Sequence, residues 1–137
     1  MAFVHGSGSV FKLDNSAGTL TDLSAYITSV GLPREVDTHE TTVFGKTAKT
    51  YIIGLTDATI PLEGKWDATL DAHMNGLVGK TASVTYEIGV EGSAAGKVRY
   101  TGEAFLSSYE IGDPVDGEVT WSGELQCSDT ITRNTWP

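Results

Sequence analysis

Gly45-Lys46-Thr47 is the triplet in this chain that most invites a chemical reading. A glycine, a lysine and a hydroxyl in that order end a phosphate-binding loop, where backbone N–H groups and the lysine ammonium hold the phosphates. The loop also needs a glycine at position 40, but Glu40 stands there and would turn a carboxylate toward the phosphate. No capped amphipathic helix follows, so a nucleotide site is set aside. Metal chemistry fares no better. His5, His39 and His73 are far apart in sequence and Cys127 is alone, so no pair has ligand spacing. Asp113 and Asp116 lack the alternation of a calcium loop. Nucleophilic catalysis needs a serine or cysteine beside a positioned base. No G-x-S-x-G elbow occurs, and Cys127 falls in phase with Trp121 and Leu125, which marks it as core. The expectation is a protein with no catalytic residue, no metal and no cofactor, hence no enzyme.

The elements that hold these residues are mostly strands. A chain of 137 residues suits one domain, residues 1–137. Its 16 glycines and many threonines favour strands and turns over helices. In "TASVTYEIGV", Ala82, Val84, Tyr86, Ile88 and Val90 alternate with Thr81, Ser83, Thr85 and Glu87, the period of a half-buried strand. "KVRYTGEAFLSSYEIGD" aligns Val98, Tyr100, Ala104 and Leu106, then shifts phase at Ser107-Ser108 so that Tyr109 and Ile111 carry the apolar set. A one-residue shift predicts a β-bulge or bend. "GEVTWSGELQC" turns Val119, Trp121, Leu125 and Cys127 inward, and the turn composition of residues 113–117 joins the two strands as a hairpin. "ATIPLEGKW" aligns Ala58, Ile60, Leu62 and Trp66, with Pro61 placing it at an edge or an irregularity. One helix is expected, with Leu70, Met74, Leu77 and Val78 inward, Asp67 as N-cap and Gly79 just past its end. A short helical turn is expected over residues 22–26, then an extended stretch broken at Pro33. The sum is an all-β fold, a β-sandwich or barrel of about six or seven strands with one flanking α-helix and a long extended loop. Residues 1–9 read as a flexible entry segment.

Charge narrows the classes further. A formal net charge of −9 argues against a surface that grips nucleic acid. Solubility accounts for the acidity, and a surface that repels DNA is a second reading. A lone cysteine cannot form an intrachain disulfide and suits a reducing compartment. The opening "MAFVHGSGSV" has no basic region, so no signal peptide is expected. No apolar run approaches the ~18 residues of a membrane span. Trp66 and Trp121 lie on apolar faces. Trp136, near the end of the chain, is read either as disordered or as an anchor into a neighbouring molecule.

"VFGKTAKTYIIGLTD", residues 43–57, remains to be placed. Val43, Phe44, Tyr51, Ile52, Ile53 and Leu55 are apolar, while Lys46 and Lys49 supply solubility. Two readings stay open. Residues 49–53 form an ordinary core strand, or the whole segment is a hairpin arm whose apolar tip is covered only by another subunit. Left in water, such a loop would aggregate.

The order of segments resembles a known family. "DLSAYITSVGLP", a threonine-rich "HETTVFGKTAK", "GLTDATIPLEGKWD", a helix and "SYEIGDPVDGEVTWSGELQCS" together look like the tail tube (major tail) proteins of long-tailed bacteriophages, over about residues 10–133. The resemblance implies a structural virion protein. It forms rings, commonly hexameric, that stack into a tube conducting DNA without specific binding. It implies that residues 43–57 are the assembly loop, with Val43, Phe44, Lys46, Lys49, Tyr51, Ile52, Ile53 and Leu55 at the subunit interface. The implied partners are further copies, tape measure, terminator and baseplate proteins, with no membrane. The implied location is the virion tail, after assembly in the host cytoplasm. Rival expectations are a tail terminator or neck protein, a tube protein of a contractile injection machine and, in a different class, a small carbohydrate-binding β-sandwich.

Overall fold

A computed structural model describes residues 3–137; residues 1 and 2 of the expected entry segment lie outside the described residues. The chain forms β1 (Val10–Asp14), β2 (Leu20–Asp22), β3 (Ile27–Val30), β4 (Arg34–Glu40), β5 (Tyr51–Lys65), α1 (Ala68–Leu77), β6 (Val84–Gly89), β7 (Val98–Gly112) and β8 (Thr120–Thr135). Short 3-10 turns occupy Gly6–Gly8 and Ser24–Tyr26. The fold is all-β with one helix, as the alternation predicts. The described residues form eight strands, against an expectation of about six or seven. The extended stretch around Pro33 divides into β3 and β4, and a three-residue β2 joins the edge.

The strands form one antiparallel sheet in the order β2-β1-β6-β7-β8-β5-β3, with β4 continuing along β5 beyond β3. It curls around a single core without closing. Phe11 and Leu13 on β1, Tyr86 on β6, Ile60 and Leu62 on β5 and Trp121 and Leu125 on β8 meet in one cluster. Alternation explains why. Where two of these residues share a strand they are two or four positions apart, so one face of each of these strands is apolar and is removed from water. The indole N–H of Trp121 donates to the Tyr26 carbonyl at 3.0 Å and ties the start of β3 across β5 to β8. That bridge passes over Gly64, where any side chain would collide with the Tyr26 carbonyl and the indole.

α1 covers the open side of the core with Leu70, Met74 and Leu77. The Asp67 carboxylate accepts from the Thr69 amide at 2.9 Å, and Gly79 follows the helix at a φ of 77°, a conformation that favours glycine. Val78, expected on the inner face, is the C-cap residue and is exposed, because the helix ends one position earlier. The Asp71 carboxylate accepts from the Tyr109 hydroxyl at 2.8 Å and from the Trp66 indole at 3.4 Å, so the helix is fixed to β7 by polar contacts as well as packing.

Both expected irregularities occur. Leu106 pairs with Leu125 and Ser108 with Glu124, so Ser107 is the extra residue that resets the phase of β7. Pro61 falls where β3 ends and β4 has not begun; its carbonyl accepts from Gly31 and its missing N–H faces the same gap.

Candidate assembly interface

Beyond Ala58 the sheet narrows to two strands. β4 and the first half of β5 run out as a ribbon, paired from Arg34–Ala58 to Glu40–Tyr51. Every residue of β4 is exposed. Tyr51, Ile52, Ile53 and Leu55 are 55%, 58%, 77% and 82% exposed, so the core-strand reading of residues 49–53 does not hold for the single chain. Val36, at 48%, adds to the same apolar surface and was not singled out in the sequence, although it alternates with charged neighbours in "REVDTHE". An isolated two-stranded ribbon is marginally stable in water. This one also turns apolar side chains to solvent on both faces. Tyr51 and Ile53 share one face with Glu40 and Thr38, while Ile52 and His39 share the other.

The ribbon carries a bulge. Val36 pairs with Thr56 and Thr38 with Ile53, which sets Asp37 opposite both Gly54 and Leu55. Gly54 lets the two strands approach closely there; a Cβ would come within 2.8 Å of the exposed His39 ring, which would have to swing away, and 3.2 Å of the Asp37 Cβ. Both long edges of the ribbon are open among the described residues. β4 pairs only with β5, and β8 pairs with β5 only from Thr59 onward. Open edges of this kind accept a neighbour's strand.

The tip, residues 41–50, is closed by threonines. The Thr41 amide donates to the Thr50 carbonyl at 2.7 Å, the two hydroxyls meet at 2.9 Å, and the Thr50 amide donates to Thr42 Oγ1 at 3.0 Å. Gly45, at a φ of 90°, serves a turn rather than a phosphate cradle. Lys49 lies 3.8 Å from Glu40, with both side chains largely solvated, a contact worth little on its own. Lys46 is exposed, and Val43 and Phe44 point into water, Phe44 completely. At the root of the arm a groove of about 510 Å³ is lined by Val36, Leu55, Cys127 and Ile131 among others.

The remaining sequence candidates are not brought together. His5 accepts from the Ser7 amide, His39 lies over Gly54, and His73 is half-buried with Nε2 enclosed and unpartnered. Burial lowers the His73 pKa, against the opposing pull of Asp14. Burial pushes the Cys127 thiol up, so it is a poor nucleophile, and its sulfur approaches the Tyr86 hydroxyl at 3.7 Å. No group of metal-ligating side chains occurs among the described residues, and no helix there is long and apolar enough to cross a membrane.

Trp136 departs from expectation. It is 6% exposed and neither disordered nor free to anchor a neighbour. The backbone of residue 136 pairs with Gly96 and Lys97, and the ring lies over Gly89, flanked by the Lys12 ammonium at 5.1 Å and the Arg99 guanidinium at 5.3 Å. Arg99 is held in turn by Glu87 at 3.0 Å and Asn134 at 2.9 Å. The sequence signal that could have found this is Gly89 closing a β-branched and aromatic strand, since only a residue without a Cβ admits the indole. With Trp66 half-buried and Trp121 and Trp136 buried, no tryptophan offers a sugar-stacking platform.

Comparison with known proteins completes the picture. The family described as phage tail tube protein matches residues 4–133. No curated protein matches the sequence. The fold is similar to the tail of an empty gene transfer agent particle, refined with C6 symmetry, at 14% identity over 97% of this chain and 100% of that chain, with a TM-score of 0.80. It is similar to the SPP1 tail tube at 16% identity over 97% and 80%, TM-score 0.76. It is also similar to a sheath/tube terminator of an extracellular contractile injection system at 14% identity over 98% and 99%, TM-score 0.73.

Proposed function

The chain belongs to the phage tail tube protein family and has a structural role in a tail tube, and from that premise we propose that its copies join through the arm into rings that stack around a DNA-conducting lumen. The observation that carries this reading is the arm itself. Ile52, Ile53 and Leu55 are solvated in the single chain, on a ribbon whose edges are open. Covering them removes apolar area from water and fills the unpaired N–H and C=O groups of the ribbon. The arm surface and its receptor are different patches, so the contact is heterologous; it closes into a ring if the rotation fits and stacks where the two ring faces complement each other. We take six copies per ring, on the analogy of the C6 symmetry of the gene transfer agent tail.

In this reading Val43, Phe44, Lys46, Lys49, Tyr51, Ile52, Ile53 and Leu55 are interface residues. The excess of 18 acidic over 9 basic residues lets DNA slide, since a lumen that does not attract phosphate does not hold it. The protein has no catalytic role. It assembles in the host cytoplasm and meets tape measure, terminator and baseplate proteins in the finished tail. A second reading, a tube terminator, is favoured by the fold likeness to the terminator of a contractile injection system. Negative-stain microscopy and sedimentation of the concentrated protein separate the readings. Tubes of stacked rings support a tube protein, and single rings that never stack support a terminator. A chain that stays monomeric at every concentration, with its arm amides protected from exchange, overturns both.

A further inference from the structure

Tip and turn occupy opposite ends of β5. Tyr51, at its start, adjoins the arm tip through its pairing with Glu40. Lys65, at its end, pairs with Thr120, where the β7–β8 turn leaves the sheet. The strand has 15 residues, about 50 Å of extended chain at ~3.3 Å per residue. The tip, residues 41–50, holds Lys46 and Lys49 and no acid; the one acid beside it, Glu40 at its base, lies 3.8 Å from Lys49 and leaves Lys46 without an ion pair among the described residues. Residues 110–118 hold Glu110, Asp113, Asp116 and Glu118 and no base; among the described residues the cation that reaches them is Lys65, which pairs with Glu118. Each loop also displays an apolar side chain that its own fold does not need. Phe44 at the tip and Val115 in the turn are fully exposed, with Val43 and Ile111 beside them.

The geometry points to a contact between these two loops in different copies of the chain: the cationic arm tip of one docks on the acidic β7–β8 turn of the next, Phe44 against Val115. This inference rests on the assembly reading above and names its axial receptor. A hairpin turn that served only its own fold would carry polar residues at 115, as exposed turns do. The β1–β2 turn, residues 15–19, has no charge to offer a lysine. The loop at residues 90–97 carries both Glu91 and Lys97, and it lies at the arm's own end of the sheet, beside Trp136. Among the described residues, only 110–118 combine exposed apolar groups with acids and no base of their own at the far end. A tip-to-turn contact cannot be satisfied within one copy, because β5 separates the two. In a stack of rings it therefore leaves the tips of one end ring and the turns of the other unused, and it propagates head to tail. Opposite charge guides the encounter and fixes the polarity of the stack, since tip meets tip or turn meets turn only with like charges opposed.

Charge exchange tests the pairing. The Lys46→Glu/Lys49→Glu variant and the Asp113→Lys/Asp116→Lys variant are each expected to shorten tubes by about tenfold or more, and the chain carrying all four changes is expected to regain length. A second measurement does not depend on charge. In a Cys127→Ser background, Phe44→Cys with Val115→Cys is expected to give a ladder of disulfide-linked oligomers when assembled tubes are oxidised, and none from the dissolved monomer. Tubes of normal length from both charge variants, or no ladder from tubes that form normally, overturn the tip-to-turn contact while leaving ring assembly intact. If the unaltered protein forms neither rings nor tubes, the assembly reading fails and this contact fails with it.

Discussion

Replacing Ile52 and Ile53 with aspartate separates assembly from folding. The two side chains point to opposite faces of the ribbon, so the pair strips apolar character from both. In the single chain they are already 58% and 77% exposed, so unfolding exposes only the smaller remaining fractions. At about 1.5–3 kcal/mol for a fully buried isoleucine, the monomer is expected to lose about 1–2 kcal/mol. Assembly is different. Fully burying an isoleucine stabilises by about 1.5–3 kcal/mol, and scaling by the exposed fractions leaves about 2–4 kcal/mol to be gained when a neighbour covers both. Losing that weakens each contact by roughly 30- to 1,000-fold. Urea denaturation should show a folded variant with a modestly lowered midpoint, while sedimentation and negative stain should show monomers at concentrations where the parent forms tubes. Normal tubes would refute burial of the arm. A variant that fails to fold would show that the segment supports its own core, contrary to the exposure described above.

Three further outcomes follow from the body of the fold. Trp136→Ala should destabilise the monomer by about 3–5 kcal/mol, the range for a buried aromatic, seen as a lower urea midpoint; an unchanged midpoint would mean the ring is not packed in its own chain. Gly64→Ala should leave the protein insoluble or sharply lower its melting temperature, because the added methyl displaces the bond between Trp121 and the Tyr26 carbonyl. Burial, with help from the bond to Asp71, raises the Tyr109 pKa from 10.0 to about 12. The folded value lies above the unfolded one, so this contribution to stability is complete below pH 10 and is lost as pH rises toward about 12. Melting temperature followed over that interval should fall less steeply in Tyr109→Phe than in the parent.

Much of the body was legible because its signals are local. Period-two alternation located the second half of β5, β6, β7 and the first half of β8, Asp67 and Gly79 bounded α1, and the phase shift at Ser107 located a bulge without any knowledge of its partner strand. Alternation does not report which strands become neighbours, so the division of the stretch around Pro33 into β3 and β4 emerged only from their separate pairings with β5. Trp136 was misread for a related reason: its partners Lys12, Gly89 and Arg99 lie on three other segments, and no window of sequence contains them. The arm was legible as a contradiction, apolar like core yet broken by glycine and lysine like a loop. Its physics is that of a strand whose burial is deferred to another molecule, and a single chain cannot reveal that by periodicity.

The bulge at Gly54 and Leu55 restricts which strands can lie against the ribbon. A regular strand sliding along an open edge finds the same hydrogen-bond pattern at every second residue, which is how mispaired fibres grow. Here the extra residue of β5 breaks that repeat midway, so a stray strand engages one side of the kink and is mismatched on the other. The ribbon thus behaves as a notched key: it can remain sticky enough to find its proper neighbour while offering chance partners only half a grip.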